Sequence, residues 1–232
     1  MHCIIVLVYN FLLASIQSRL GLWGHYHNTV CLQGLYISIM EVVSIVNEIF
    51  RLYEDAGQSQ YLGENVTKTQ HSIQCAMCAE KDGAVREEIV AAFLHDVGHL
   101  LGIDENLPEM VTDGENVGTK DHDVVGGKYL IDKGFPKLVC DIVAGHVQAK
   151  RYLVYKYKDY YEKLSDASKK TLVHQGGPMT KEEAIMFEQS EAFQPILRMR
   201  KYDELAKDPT AKMEPLKKYR EMCIELLLQN KV

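Results

Sequence analysis

What this 232-residue chain lacks narrows it first. Its six cysteines, Cys3, Cys31, Cys75, Cys78, Cys140 and Cys223, have neither the density nor the spacing of a disulfide scaffold. Stability must come from a buried core, and 47% hydrophobic residues over this length suffice for one sizeable core and one domain. Unpaired cysteines suit a reducing, cytoplasmic compartment. Cys75 and Cys78 form a lone CxxC, but it falls inside a helical pattern with no second pair and no preceding strand. The expectation is two small residues on a packed helix face rather than a redox or zinc site. An excess of positive charge is also missing: 26 Lys and Arg against 32 Asp and Glu, interspersed, give a net charge of −6. A phosphate backbone would require a basic face, so no nucleic-acid partner is expected. There is no internal repeat, no low-complexity tract and no alternating pattern long enough to demand a sheet.

Long apolar runs are wanting as well. Residues 4–16, IIVLVYNFLLASI, are too short for a membrane span, although they match the length of a signal-peptide core. No Lys or Arg precedes them, and the stretch from Gln17 to Ile39 mixes polar, aromatic and glycine residues without a period. At Met40 the pattern changes to helical spacing, with Val42, Val43, Ile45, Val46, Ile49, Phe50 and Tyr53 recurring until Gly57. Residues 1–39 therefore read as an extension outside the fold and residues 40–232 as the domain. A secretory signal or anchor in 1–39 is the second reading, and no membrane contact is expected of 40–232.

What is present is helix after helix. The spacing predicts helices over Val66–Lys81 and Val85–Leu101, separated at Gly83 and ended by Gly102, then an exposed acidic loop from Ile103 to Lys120. Helices follow over Asp121–Lys133 and Pro136–Tyr155, the latter with proline at a tolerated first-turn position. Thr180 and Glu183 form a capping box, and Leu216–Gln229 is a final amphipathic helix.

The chemistry lies in the histidines. Six follow residue 39, and four of these, His71, His95, His122 and His146, fall on successive predicted helices. Asp96 adjoins His95, and Asp203 comes from a late helix. One histidine on a helix is ordinarily a packed or surface residue; four on consecutive helices, one beside an aspartate, point to a metal centre. Imidazole and carboxylate suit borderline divalent or trivalent ions, and a carboxylate can bridge two of them. Six ligands with one shared exceed what a single catalytic ion needs, so the expectation is a two-metal site. Lys150 lies four residues after His146 and His99 four after His95, each on the ligand's own helical face, where they could meet an anion or steady a ligand.

The series His71, His95–Asp96, His122, His146, Asp203 resembles the HD-domain superfamily, and within it the mixed-valent diiron oxygenases. More narrowly, residues 40–230 resemble the glycine-forming 2-amino-1-hydroxyethylphosphonate dioxygenases; myo-inositol oxygenase is a more distant likeness. The resemblance implies an all-α, HD-domain helical bundle of one domain, holding an Fe(II)/Fe(III) pair and using O2 as co-substrate on a small organophosphonate. It also implies that His71, His95, Asp96 and Asp203 hold one iron and Asp96, His122 and His146 the other. Tyr61 and Glu64, in QYLGENVTKTQHSIQ, would be the loop residues that cover an iron position and receive the substrate's amino group. Ser168 and Thr171 would join His99 and Lys150 around the phosphonate. A metal-dependent phosphohydrolase acting on a phosphate ester is the alternative, since it would use the same ions and bind the same kind of anion.

Overall fold

The computed structural model describes residues 25–61 and 63–230, so the apolar run at 4–16 lies outside the described residues. The chain divides into a unit ending at Glu41 and a unit from Val42 to the carboxyl terminus. In the first, the described residues are helical. Helix α1, His25–Asp55, begins well before Met40, so the change of pattern at Met40 does not mark a helix start.

The second unit is all-α apart from one hairpin, as the sequence implied. Helix α2 (Lys68–Lys81) opens with a capping box in which Thr67 and Gln70 satisfy each other's backbone groups. Two short helices follow, α3 (Arg86–Leu94) and α4 (Val97–Glu105), where the sequence predicted one helix ending at Gly102. The break falls at His95–Asp96, and the second piece ends at Asn106 in the left-handed conformation. The predicted loop is instead an antiparallel hairpin of β1 (Glu109–Thr112) and β2 (Glu115–Thr119), with an irregular register between Glu109 and Val111. Nine residues in two short strands are too few to show an alternating pattern.

Helices α5 (His122–Asp132) and α6 (Lys137–Lys156) pack along each other, and α6 also meets α3 and α10. Short α7 (Tyr160–Lys163), α8 (Asp166–His174), α9 (Lys181–Glu188), α10 (Phe193–Leu205) and α11 (Leu216–Asn230) complete the unit. The Thr180–Glu183 capping box is formed.

One core runs through these helices. Phe50, Tyr53, Phe93 and Tyr219 are each almost fully buried and stack in sequence around Phe93. The Tyr53 hydroxyl donates to the Phe93 carbonyl, so a buried polar group is satisfied at the end of α3. Arg198 grips Glu88 through two parallel hydrogen bonds and locks α10 to α3. No helix among the described residues is long and apolar enough to cross a membrane.

Candidate metal centre and adjoining cavity

Five elements deliver the predicted ligands to one buried point: α2 brings His71, the α3–α4 break His95 and Asp96, the start of α5 His122, the middle of α6 His146, and α10 Asp203. The break matters because it turns two adjacent residues inward together. Gly98 matters because a β-carbon there would lie 1.9 Å from the His122 carbonyl oxygen. Only glycine lets the start of α5 come this close to α4, and that approach carries His122 to Asp96.

The donor atoms fall into two sets. His71 Nε2 lies 3.3 Å from His95 Nε2 and 3.3 Å from Asp203 Oδ1. His122 Nε2 lies 3.1 Å from His146 Nε2. Asp96 stands between them. Its Oδ2 is 3.3 Å from His95 Nε2 and 3.8 Å from His71 Nε2, while its Oδ1 is 3.6 Å from both His122 Nε2 and His146 Nε2. One oxygen per set is the arrangement a bridging carboxylate needs.

The far nitrogens fix the chemistry of the near ones. His71, His95 and His146 direct Nδ1 to the carbonyls of Ala206, Ala92 and Val143 at 2.8–2.9 Å. A neutral ring that donates from Nδ1 keeps its lone pair on Nε2, turned toward the other donors. His122 Nδ1 has no such partner among the described residues; its ring stacks on His99 with centroids 3.8 Å apart. Burial, then the charge of His99, holds His122 well below its ordinary value, and burial with the His122 and His95 charges brings His146 to about 3. Both are neutral imidazoles, ready as ligands.

The two aspartates are charged against their surroundings. Burial opposes ionisation of Asp96, but His95, His99 and His122 outweigh it and hold the carboxyl well below its usual range. For Asp203, burial is overcome by Arg200 and His71. Among the described residues Asp96 Oδ2 is buried without a hydrogen-bond partner, which a polar atom tolerates poorly unless something positive meets it. Converging imidazole lone pairs, two buried carboxylates and that orphaned oxygen fit two borderline metal ions, with the histidine–carboxylate donors that iron, manganese or zinc accept.

The sequence missed three groups here. Cys75, expected only to pack, is fully buried, but its Sγ also stands 3.6 Å from His71 Nε2 and joins His71 and His95 within 4.8 Å. Its place one turn after His71 was the available signal. Buried Arg200 binds the Asp203 carboxylate through Nη1 and is itself held by Tyr160 and Glu204. That leaves Asp203 Oδ1 for the metal set. Lys207 lies four residues beyond Asp203, and its Nζ is 2.6 Å from Glu64 Oε1. Arg200 stands at i−3 from Asp203 on the same helix, a spacing readable as one helical face, whereas Lys207 lies past the helix end at Leu205.

A cavity opens on the donors and is lined by the five residues proposed for substrate, Glu64, His99, Lys150, Ser168 and Thr171, and by Tyr61. The Tyr61 ring lies face to face with His71, 3.9 Å between centroids and 15° apart. Burial, then the charges of Asp96 and Asp203, pushes its phenol well above its ordinary value. Lys150 is 4% exposed, donates to Thr171 Oγ1 at 2.9 Å, and forms no ion pair among the described residues. Burial, then Arg200, lowers it to about 7. The Thr171 hydroxyl donates a hydrogen bond to the Ser168 carbonyl, so its oxygen is free to accept from Lys150.

His99 is wired the opposite way from the ligands. Its Nδ1 accepts from the Thr119 backbone N–H at 3.0 Å, and burial lowers it to about 4, so the proton of the neutral ring sits on Nε2. A β-carbon on Gly118 would lie 2.5 Å from His99 Cε1, so glycine at φ +107° lets the hairpin close on this ring. The bond from the Thr119 N–H leaves Nε2 of His99 to donate.

Comparison with known proteins gives the family and its relatives. Residues 69–189 match the model of the HD domain. The chain is 38% identical to uncharacterized protein L432 of Acanthamoeba polyphaga mimivirus, over 95% of this chain and 97% of that one. It is 38% identical to the [1-hydroxy-2-(trimethylamino)ethyl]phosphonate dioxygenase (glycine-betaine-forming) of Leisingera caerulea, over 71% of this chain and 81% of that one. It is 36% identical to the hydroxymethylphosphonate dioxygenase of Gimesia maris, over 82% of this chain and 96% of that one.

Proposed function

We propose, from the premise that this chain belongs to the HD-domain family and has relatives named as phosphonate dioxygenases, that it is a diiron oxygenase cleaving a carbon–phosphorus bond. The substrate is (R)-2-amino-1-hydroxyethylphosphonate and the products are glycine and phosphate. The observation that carries this is the pairing of two donor sets sharing Asp96 with a buried, carboxylate-free Lys150 in the same cavity. Both relatives' names describe a phosphonate whose phosphorus-bearing carbon carries a hydroxyl.

His71, His95, Asp96 and Asp203 would hold one iron and Asp96, His122 and His146 the other, kept as an Fe(II)/Fe(III) pair. The metal pair supplies the redox chemistry with dioxygen. The chain's own residues bind and orient the substrate. Lys150, held by Thr171, meets a phosphonate oxygen, and His99 donates from Nε2; Ser168 adds a hydroxyl. Glu64 receives the ammonium group. A trimethylated amine has no hydrogen to donate and is better met by an aromatic cage, so a carboxylate here favours the primary amine. Tyr61 covers the first metal set and must move for the substrate's hydroxyl to approach it.

The balance closes without a reductant. Taking the hydroxylated carbon to a carboxylate and phosphonate to phosphate releases four electrons, which one O2 accepts, and each product gains one oxygen atom. Aerobic turnover by iron-loaded protein tests this directly, following dioxygen uptake, phosphate and glycine together. Equal amounts of all three are expected. Phosphate release from esters without dioxygen uptake would place the chain among the metal-dependent phosphohydrolases instead.

A further inference from the structure

Glu64 is not free to wait for a cation. Its Oε1 lies 2.6 Å from Lys207 Nζ, and the two side chains are each 21% exposed. Lys207 Nζ also reaches Ser165 Oγ at 3.2 Å, at the start of the helix that carries Ser168 and Thr171. The backbone on either side of Lys207 is pinned. The preceding carbonyl, of Ala206, accepts from His71 Nδ1, and the Gln74 amide binds both the N–H and the carbonyl of Asp208 at 3.0 and 2.8 Å. Glu64 sits at the tip of a turn closed by Tyr61 N–H to Val66 O (2.9 Å) and Glu64 N–H to Tyr61 O (2.7 Å). Its side chain is tied to a fixed cation, while its backbone belongs to the same turn as Tyr61.

The cavity therefore presents two unlike ends. At one, Lys150 donates to Thr171 and has no carboxylate partner among the described residues; at the other, the negative charge of Glu64 is already matched. A phosphonate without a charged tail leaves the Glu64–Lys207 pair intact. One with an ammonium tail must share Glu64 with Lys207, and Glu64 belongs to the same turn as Tyr61, whose ring lies on His71.

We propose that Lys207 is a specificity-determining residue that competes with the substrate's ammonium group for Glu64 and, until that group arrives, holds the Tyr61–Val66 turn closed. This rests on the phosphonate reading of the cavity. The lysine sets how far the site prefers an ammonium-bearing phosphonate over a compact one.

The test uses the metal-loaded protein and two variants, Lys207→Met and Lys207→Arg, the second keeping the charge. Binding of 2-amino-1-hydroxyethylphosphonate and of hydroxymethylphosphonate is measured by calorimetry, and hydrogen exchange at residues 61–66 is followed without ligand. In Lys207→Met the affinity ratio should move about tenfold toward the ammonium ligand, the order of one charge-assisted hydrogen bond, and exchange across the turn should accelerate. Lys207→Arg should restore both. An unchanged ratio, or one that moves toward the compact ligand, overturns the proposal, as does unaltered exchange. If the wild type binds neither ligand, both readings fall; if it binds them but consumes no dioxygen, only the oxygenase reading falls.

Discussion

At the scale of single residues, the two nitrogens of each histidine divide the labour of the site. His146, bonded through Nδ1 to a carbonyl, presents a lone pair, and His99, bonded through Nδ1 to an N–H, presents a proton. Asp96 is the residue on which both donor sets depend, because each of its oxygens faces a different pair of histidines. Asp96→Ala should remove both metals together, lowering bound iron at least tenfold as measured by elemental analysis after reconstitution. Retention of a full complement would contradict the bridging role. Lys150 makes a pH prediction of definite sign. Its ammonium, lowered to about 7, is charged below that value and lost as pH rises through it, so anion capture by the free protein weakens above pH 7. The kcat/KM profile, which reports the free enzyme, should fall there in the wild type and stay level in Lys150→Arg, whose guanidinium keeps its charge. Lys150→Met should raise KM by about 10- to 100-fold, the worth of a hydrogen bond to a charged group.

At the scale of elements, the centre exists because helices break and approach where they do. Helical periodicity revealed α2, α5, α6 and α11 to within a few residues, and the four histidines could be placed on consecutive helices from spacing alone. The break at His95–Asp96 could not be read, since apolar residues continue across it at helical spacing. The hairpin escaped notice because its register is irregular and its strands are short. Arg200 and Lys207 escaped because a charge near a helix end is ordinarily a solvated residue, and only the fold shows that Arg200 is buried against Asp203 and Lys207 is turned to Glu64. Gly98→Ala is the test at this scale. Its β-carbon would lie 1.9 Å from a backbone carbonyl, so α4 and α5 must separate and His122 must leave Asp96. The expected result is a loss of at least about 1–3 kcal/mol of stability in denaturant unfolding, the usual range for overpacking, together with loss of the metal held by His122 and His146. A folded variant that keeps both ions would show that α5 can slide without disturbing its first residue.

For the molecule as a whole, metal loading and folding are one equilibrium. Six candidate ligands drawn from five elements come together only in the folded chain, so an ion held by them would bind the native state and should shift unfolding by about 2.7 kcal/mol when supplied at a hundredfold over its Kd. The two donor sets differ in what they must give up. Burial depresses His95, but Asp96 and Asp203 overcome it and raise the ring to about 9, so at neutral pH it carries a proton that a metal ion must displace. His146, near 3, and His122, held well below its ordinary value, have nothing to release. Affinity at the His71–His95 set should therefore climb with pH, about tenfold per unit until it levels near pH 9, while His122–His146 loads without proton release from either ring. Calorimetry of iron(II) binding at pH 7 in two buffers of different ionisation enthalpy should show about one proton leaving from His95. Binding enthalpies that are the same in both buffers would mean that His95 enters the site already neutral, and that the carboxylates on either side of it are balanced by something other than that proton.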